Sequence, residues 1–172
     1  MKKTLRKKYL EIRNSIENRD KKNNGILKKV LENSYIKNSS LILVYVSFNN
    51  EVDTIELINK LINRKKIAVP KIENNEMSFY IISSLNELEI GTFNVLEPIS
   101  KTKVVDFSNS CCIVPGICFN KNGYRIGYGK GYYDKFLKDY NGYSIGLTYD
   151  ECLIELEFQD NYDIKVDKII SK

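Results

Sequence analysis

Two short runs, "LILVYVS" beginning at Leu41 and "CCIVPGICF" beginning at Cys111, limit the fold more than anything else in the chain. Neither alternates between apolar and polar residues, so each reads as a strand covered on both faces, as in a parallel sheet packed between helices. After the first, Ile55, Leu57, Ile58, Leu61 and Ile62 recur at helical spacing behind Asp53 or Thr54, either of which can cap a helix start. "KIAVP" follows as another strand, and strand, helix, strand with short joints marks a parallel βαβ unit. "MSFYIIS", "YSIGLTY" and "VDKIIS" are further strand candidates. Leu5, Tyr9, Ile12 and Ile16 predict an amphipathic helix over about the first eighteen residues, and Ile26, Leu27, Val30 and Leu31 a second that ends before the polar run "NSYIKNSS". The expected fold is a single three-layer α/β/α domain over residues 1–172, with a mostly parallel, Rossmann-like sheet and ligand groups gathered at the carboxyl ends of its strands.

A chain of 172 residues, 42% hydrophobic and 28% charged, suffices for one good core and is short for two. The net charge of +5 suits a polyanionic ligand without specifying one. Cys111, Cys112, Cys118 and Cys152 form no CxxC pair and lie mostly in apolar sequence, which fits buried free thiols in a reducing compartment. The start, "MKKTLRKKYLEIRNSI", has charges where a signal peptide needs an apolar stretch, and no apolar run approaches a membrane span. The expected location is therefore the cytoplasm, with no membrane partner. Lys2, Lys3, Arg6, Lys7 and Lys8 crowd the start of the first helix, where cations oppose the helix dipole but can reach an external anion.

The segment "GYRIGYGKGYYD", residues 123–134, holds four of the nine glycines and four of the twelve tyrosines. It is not a Walker A loop, because Gly131 stands where Ser or Thr should follow Lys130, and its alternating glycines do not fit GxGxxG. The ingredients for holding phosphate are nevertheless present: glycines that permit close backbone approach, a helix start with free N–H groups, and the Lys130 cation. Asp134, just inside that helix, is placed to meet a hard cation accompanying the phosphates. A flexible loop whose tyrosines cover the core is the plainer alternative. An RNA-recognition strand is disfavoured, since the upstream "CCIVPGICF" lacks the partner aromatic pattern, and no nucleic-acid partner is expected.

The longer stretch "VPGICFNKNGYRIGYGKGYYDKFL" resembles the signature of the 5-formyltetrahydrofolate cyclo-ligase family, in which Pro-Gly and Phe precede G-x-R-x-G-x-G-x-G-Y-Y-D. "KKTLR", "VSFNNEVDT", "VLEP" and "YDIKVDKIIS" are similar to other elements of that family and occur in its order. The resemblance implies a monomer that takes ATP as co-substrate and Mg2+ as cofactor, and closes 5-formyltetrahydrofolate to 5,10-methenyltetrahydrofolate with release of ADP and phosphate. It implies that Lys2, Lys3 and Arg6 approach the nucleotide, and that Arg125, Gly127, Tyr128, Gly129, Lys130, Gly131, Tyr132 and Tyr133 form the ATP-binding loop. Lys130 and Arg125 would act on the transferred phosphate, and Asp134 and Asp163 would help hold Mg2+. Val46, Phe48, Glu51 and Tyr132 would meet the folate. Many relatives have His before the C-terminal Asp where this chain has Tyr162, and the chain contains no His at all. No side-chain general base is therefore assigned.

Overall fold

The computed structural model describes residues 1–172. In chain order the elements are α1 (Lys2–Asn14), α2 (Arg19–Glu32), α3 (Ser34–Asn38), β1 (Leu41–Val44), α4 (Ile55–Leu61), β2 (Lys66–Glu73), β3 (Glu76–Ile82), β4 (Leu88–Ile90), β5 (Leu96–Pro98) and β6 (Ser110–Val114). There follow β7 (Cys118–Asn120), β8 (Arg125–Ile126), α5 (Tyr132–Asp139), β9 (Tyr143–Thr148), β10 (Leu153–Ile154) and β11 (Lys168–Ser171).

Six strands form the central sheet in the order β11-β9-β6-β1-β2-β3. All neighbours run parallel except β3, which returns antiparallel along β2. The pleat sends alternate residues to opposite faces. Ile42, Val44, Ile67, Val69, Cys111 and Ile113 pack beneath α2 and α4. Leu41, Leu43, Ala68, Cys112 and Val114 face the other way, toward Phe119 and Leu137. With helices on both faces and no wet side, the central strands have no use for polar residues, and the three-layer α/β expectation holds.

Three local details differ from expectation. The first helix ends at Asn14, where the Ser15 N–H turns back to the Glu11 and Ile12 carbonyls. The run "NSYIKNSS" contains α3, because the Asn33 side chain accepts hydrogen bonds from the Tyr35 and Ile36 N–H groups and so caps a short helix. "CCIVPGICF" is not one strand but two: β6 lies in the main sheet, while β7 joins β8 and β10 in a small second sheet. The turn between them works because Phe119 is wedged between Gly116 and Gly146, where a Cβ at either position would sit 2.4 Å from its ring. On that small sheet Cys118, Ile126, Cys152, Ile154 and Phe158 form an apolar platform for Leu5, Tyr9 and Ile12 of α1.

The chain passes from β1 outward to β2 and β3, then returns to the other side of β1 and continues through β6, β9 and β11. The carboxyl ends of β1 and β6 thus flank the point where strand order reverses, the usual place for a ligand crevice in an open α/β sheet. The loop carrying Val46, Phe48 and Glu51 leaves β1 there, and Pro115 and Gly116 leave β6 there.

Candidate active site

The glycine-rich segment spans β8, a bare loop and the start of α5. Gly129 has φ +93° and Gly131 φ +71°, a region where a Cβ is strained, and Gly131 occupies the position just before α5. A Cβ built on Gly127 or Gly131 would meet nothing within 4 Å, so the backbone borders open space. Gly127 is half-buried, while Tyr128, Gly129 and Lys130 are exposed. The Lys130 ammonium lies 5.4 Å from the centre of the Phe93 ring, which projects from the β4–β5 turn.

Beneath the loop, Arg125 is 7% exposed and its guanidinium is committed. It pairs with Asp134 Oδ1 at 3.0 Å and donates to the Ile164 carbonyl at 3.1 Å. The same Asp134 oxygen accepts from the Ile164 N–H at 3.0 Å. Asp134 Oδ2 makes no hydrogen bond, and the side chain is 26% exposed. The Tyr133 hydroxyl is buried without a partner, and burial pushes its phenol well above the usual range. Tyr132 is half-buried beside it.

From α1, Arg6 donates through Nε to the Gly127 carbonyl at 2.7 Å, and its guanidinium lies alongside Gly129. Lys2 meets the Asp163 carboxylate and pairs with Asp160 at 2.7 Å. Burial works against its charge, but the bonds to Asp160 and Asp163 outweigh that and hold the ammonium above its usual pKa. Lys3 is exposed and makes no ion pair. Lys2, expected at the nucleotide, and Asp163, expected at Mg2+, are therefore brought together as partners of each other.

On the β1 side Val46 is buried, and the Glu51 carboxylate accepts from the Phe48 N–H at 2.9 Å. Burial pushes the Glu51 carboxyl up, against the pull of that N–H and of Arg13. Thr54 spends its hydroxyl on the Tyr45 carbonyl at 2.6 Å, and Asp53 Oδ1 takes the Ile55 N–H at 3.0 Å, so the two capping candidates share the work of fixing this loop. A cavity of about 630 Å3 opens beside it, lined among others by Arg19, Asn23, Ser47 and Glu51.

Two members of the site went unnoticed in the sequence. Arg13, 2% exposed, joins the two halves by donating to Asn50 Oδ1 at 2.7 Å, to the Gly116 carbonyl at 3.1 Å and to the Tyr128 hydroxyl at 2.7 Å. Its signal was spacing: at 100° per residue, Lys2, Arg6 and Arg13 fall within about 40° of one another on α1. Asn50 carried no signal, being one asparagine in a loop. No three acidic or cysteine side chains gather as a metal cage. The free Asp134 oxygen fits a magnesium ion that arrives with phosphate oxygens, since Mg2+ commonly takes one or two carboxylates and leaves the rest to ligand and water.

Bare glycine backbone open to solvent, set among cations near the reversal point of a parallel sheet, is the arrangement of an α/β protein that handles anionic ligands. The profile of the 5-formyltetrahydrofolate cyclo-ligase family matches residues 1–172. The chain is 26% identical to the Mus musculus 5-formyltetrahydrofolate cyclo-ligase over 172 aligned residues, which cover 91% of this chain and 85% of that one. Its fold matches the solution structure of Aquifex aeolicus 5,10-methenyltetrahydrofolate synthetase with a TM-score of 0.88 and 31% identity, over 99% of this chain and 89% of the other. The corresponding values for the Mycoplasma pneumoniae 5,10-methenyltetrahydrofolate synthetase are 0.78 and 25%, over 98% and 97%. The chain belongs to the 5-formyltetrahydrofolate cyclo-ligase family, ligases that use ATP to cyclise 5-formyltetrahydrofolate to 5,10-methenyltetrahydrofolate.

Proposed function

We propose that the crevice between the β1 loop and the glycine segment performs that cyclisation, with the triphosphate along residues 125–133 and the folate against Val46, Phe48, Glu51 and Tyr132. The observation that carries this reading is the bare, open backbone at Gly127 and Gly131 beside exposed Lys130, with Arg6 anchored at its edge. The formyl oxygen attacks the γ-phosphorus, forming an O–P bond as the bond to the ADP oxygen breaks. N10 then adds its lone pair to the formyl carbon, the C–O bond breaks, phosphate leaves, and N10 gives up its proton.

No step needs an enzyme nucleophile, and none uses histidine, which this chain lacks. The protein's task is alignment and neutralisation of phosphoryl charge. Lys130 faces the transferred group, Arg6 and Lys3 take the nucleotide side, and Arg125 holds Asp134 in place from below. Asp134, with Asp163, would hold Mg2+, which when bound withdraws charge from the phosphate oxygens. The protein acts as a monomer in the cytoplasm, a location supported by four cysteines that are all free and buried. No helix is long and apolar enough to cross a membrane.

Purified protein mixed with MgATP and 5-formyltetrahydrofolate should develop the near-ultraviolet band of the methenyl product, and ATP omission should abolish it. A folded protein that binds both ligands and produces no band would overturn the proposal.

A further inference from the structure

Arg13 and Arg125 are both buried guanidinium groups, but only Arg125 has a carboxylate partner. Every bond from Arg13 goes to a neutral acceptor, and the three acceptors belong to three different segments. Asn50 adjoins Glu51 in the loop after β1, Gly116 follows β6, and Tyr128 lies within the glycine loop. Arg13 and the Glu51 carboxyl attract one another but form no ion pair, so burial of this cation lacks a direct carboxylate partner and costs stability; α1 already docks through Leu5, Tyr9 and Ile12, so packing gives no reason for a charge here. A planar fork with several donors at fixed angles does what no apolar side chain can, which is to hold three loops in one mutual arrangement.

We infer that Arg13 is a positioning residue that couples the two halves of the crevice, so that ordering of the glycine loop by nucleotide favours the folate-binding arrangement of the loop at Asn50 and Glu51. This rests on the proposed assignment of those loops to nucleotide and folate. Tyr128 is 54% exposed, yet its hydroxyl is tethered 2.7 Å from the Arg13 guanidinium, and it stands between two glycines, of which Gly127 is held through its carbonyl by Arg6. A ligand that orders the loop fixes that hydroxyl. Arg13 then has one orientation instead of several, and Asn50 is fixed through a second bond from the same planar group. Linkage makes the effect reciprocal: folate must strengthen nucleotide binding by the same factor.

The test is the dissociation constant of 5-formyltetrahydrofolate with and without a saturating non-hydrolysable ATP analogue and Mg2+. In the unmodified protein the analogue should tighten folate binding by about fivefold or more, the range typical of coupled sites. In Arg13→Gln the factor should fall to about twofold or less, and Arg13→Lys should fare no better because an ammonium lacks the fork. Asn50→Ala and Tyr128→Phe each remove one bond with the arginine left in place, and each should reduce the factor; these two decide the matter if the Arg13 variants fail to fold. A merely structural role would lower melting temperature and leave the coupling factor alone. Unchanged factors in Asn50→Ala and Tyr128→Phe, or an unmodified protein that forms product yet binds folate equally with and without the analogue, overturn the inference. A protein that forms no methenyl product overturns the proposed function instead.

Discussion

Lys130 stands exposed at the glycine loop with its ammonium over the Phe93 ring, and it supports no core contact. Lys130→Ala should therefore shift stability by no more than about 0.5 kcal/mol, a change readable by urea unfolding. It should lower turnover by about a hundredfold, or on the order of 3 kcal/mol in the barrier, while folate affinity changes far less. Near-normal turnover would remove Lys130 from the phosphoryl transfer. Asp134 is different, because its Oδ1 also neutralises Arg125, whose side chain is only 5% exposed. Asp134→Asn leaves that buried charge poorly matched, so a stability loss of about 1–3 kcal/mol is expected together with a raised Mg2+ requirement. A magnesium titration superimposable on the unmodified protein would take Asp134 out of the metal site. The sequence shows Asp134 and Lys130 beside alternating glycines, which is what singled them out. It left the Arg125 partnership invisible, because Ile164 and Asp134 meet under the loop only through tertiary folding.

Among the elements, β9 shows how a strand is shaped by what lies above it. Gly146 leaves room for Phe119, and a methyl group there would sit 2.4 Å from the ring. Gly146→Ala should cost about 1–3 kcal/mol through overpacking, and Gly116→Ala, on the other side of the same ring, a similar amount. Thermal unfolding of both variants checks this; equal stability would mean that Phe119 has another place to go. The buried strands were legible as apolar runs because both faces are covered. The antiparallel return of β3 was not, since its residues suit either direction and only the short turn at Asn74 and Asn75 reverses the chain. The β4–β5 hairpin escaped for a related reason: Ile90 and Leu96 are exposed while Glu97 is buried, so the hydrophobic pattern does not report which face is covered. The small sheet was masked by the continuous apolarity of "CCIVPGICF", which hides the change of layer at Gly116.

At the level of the whole molecule, the four free cysteines tie stability to pH. Burial pushes the thiols of Cys111 and Cys118 from 9.0 up to about 12, that of Cys152 to about 11, and that of Cys112 higher still. Between the unfolded and folded values the unfolded chain loses thiol protons that the folded chain keeps. Their contribution to stability is thus fully present below pH 9 and is lost as pH rises toward 11 and 12. Each thiol removes about 1.4 kcal/mol per pH unit across its window. Urea midpoints should fall steeply above pH 9, and the fall should be shallower in Cys152→Ser. A thiol reagent at neutral pH should label the cysteines only at the rate of unfolding. Labelling much faster than that would place a cysteine in a mobile region. Cysteine burial was readable from apolar context; what that burial does to alkaline stability needed the fold.

Nearly everything α1 touches at the crevice is made late in the chain: Gly116, Gly127 and Tyr128, then Asp160 and Asp163. The Lys2 contact with Asp163 bridges 161 positions. During translation at about 5–20 residues per second, α1 must therefore wait several seconds for its docking surface, with its apolar stripe available to chaperones throughout. Parallel strands β1 and β2 can pair long before then, but the contacts of α1 with the glycine segment form last. A nascent polypeptide stalled before residue 116 carries four of the six central strands and none of the glycine segment.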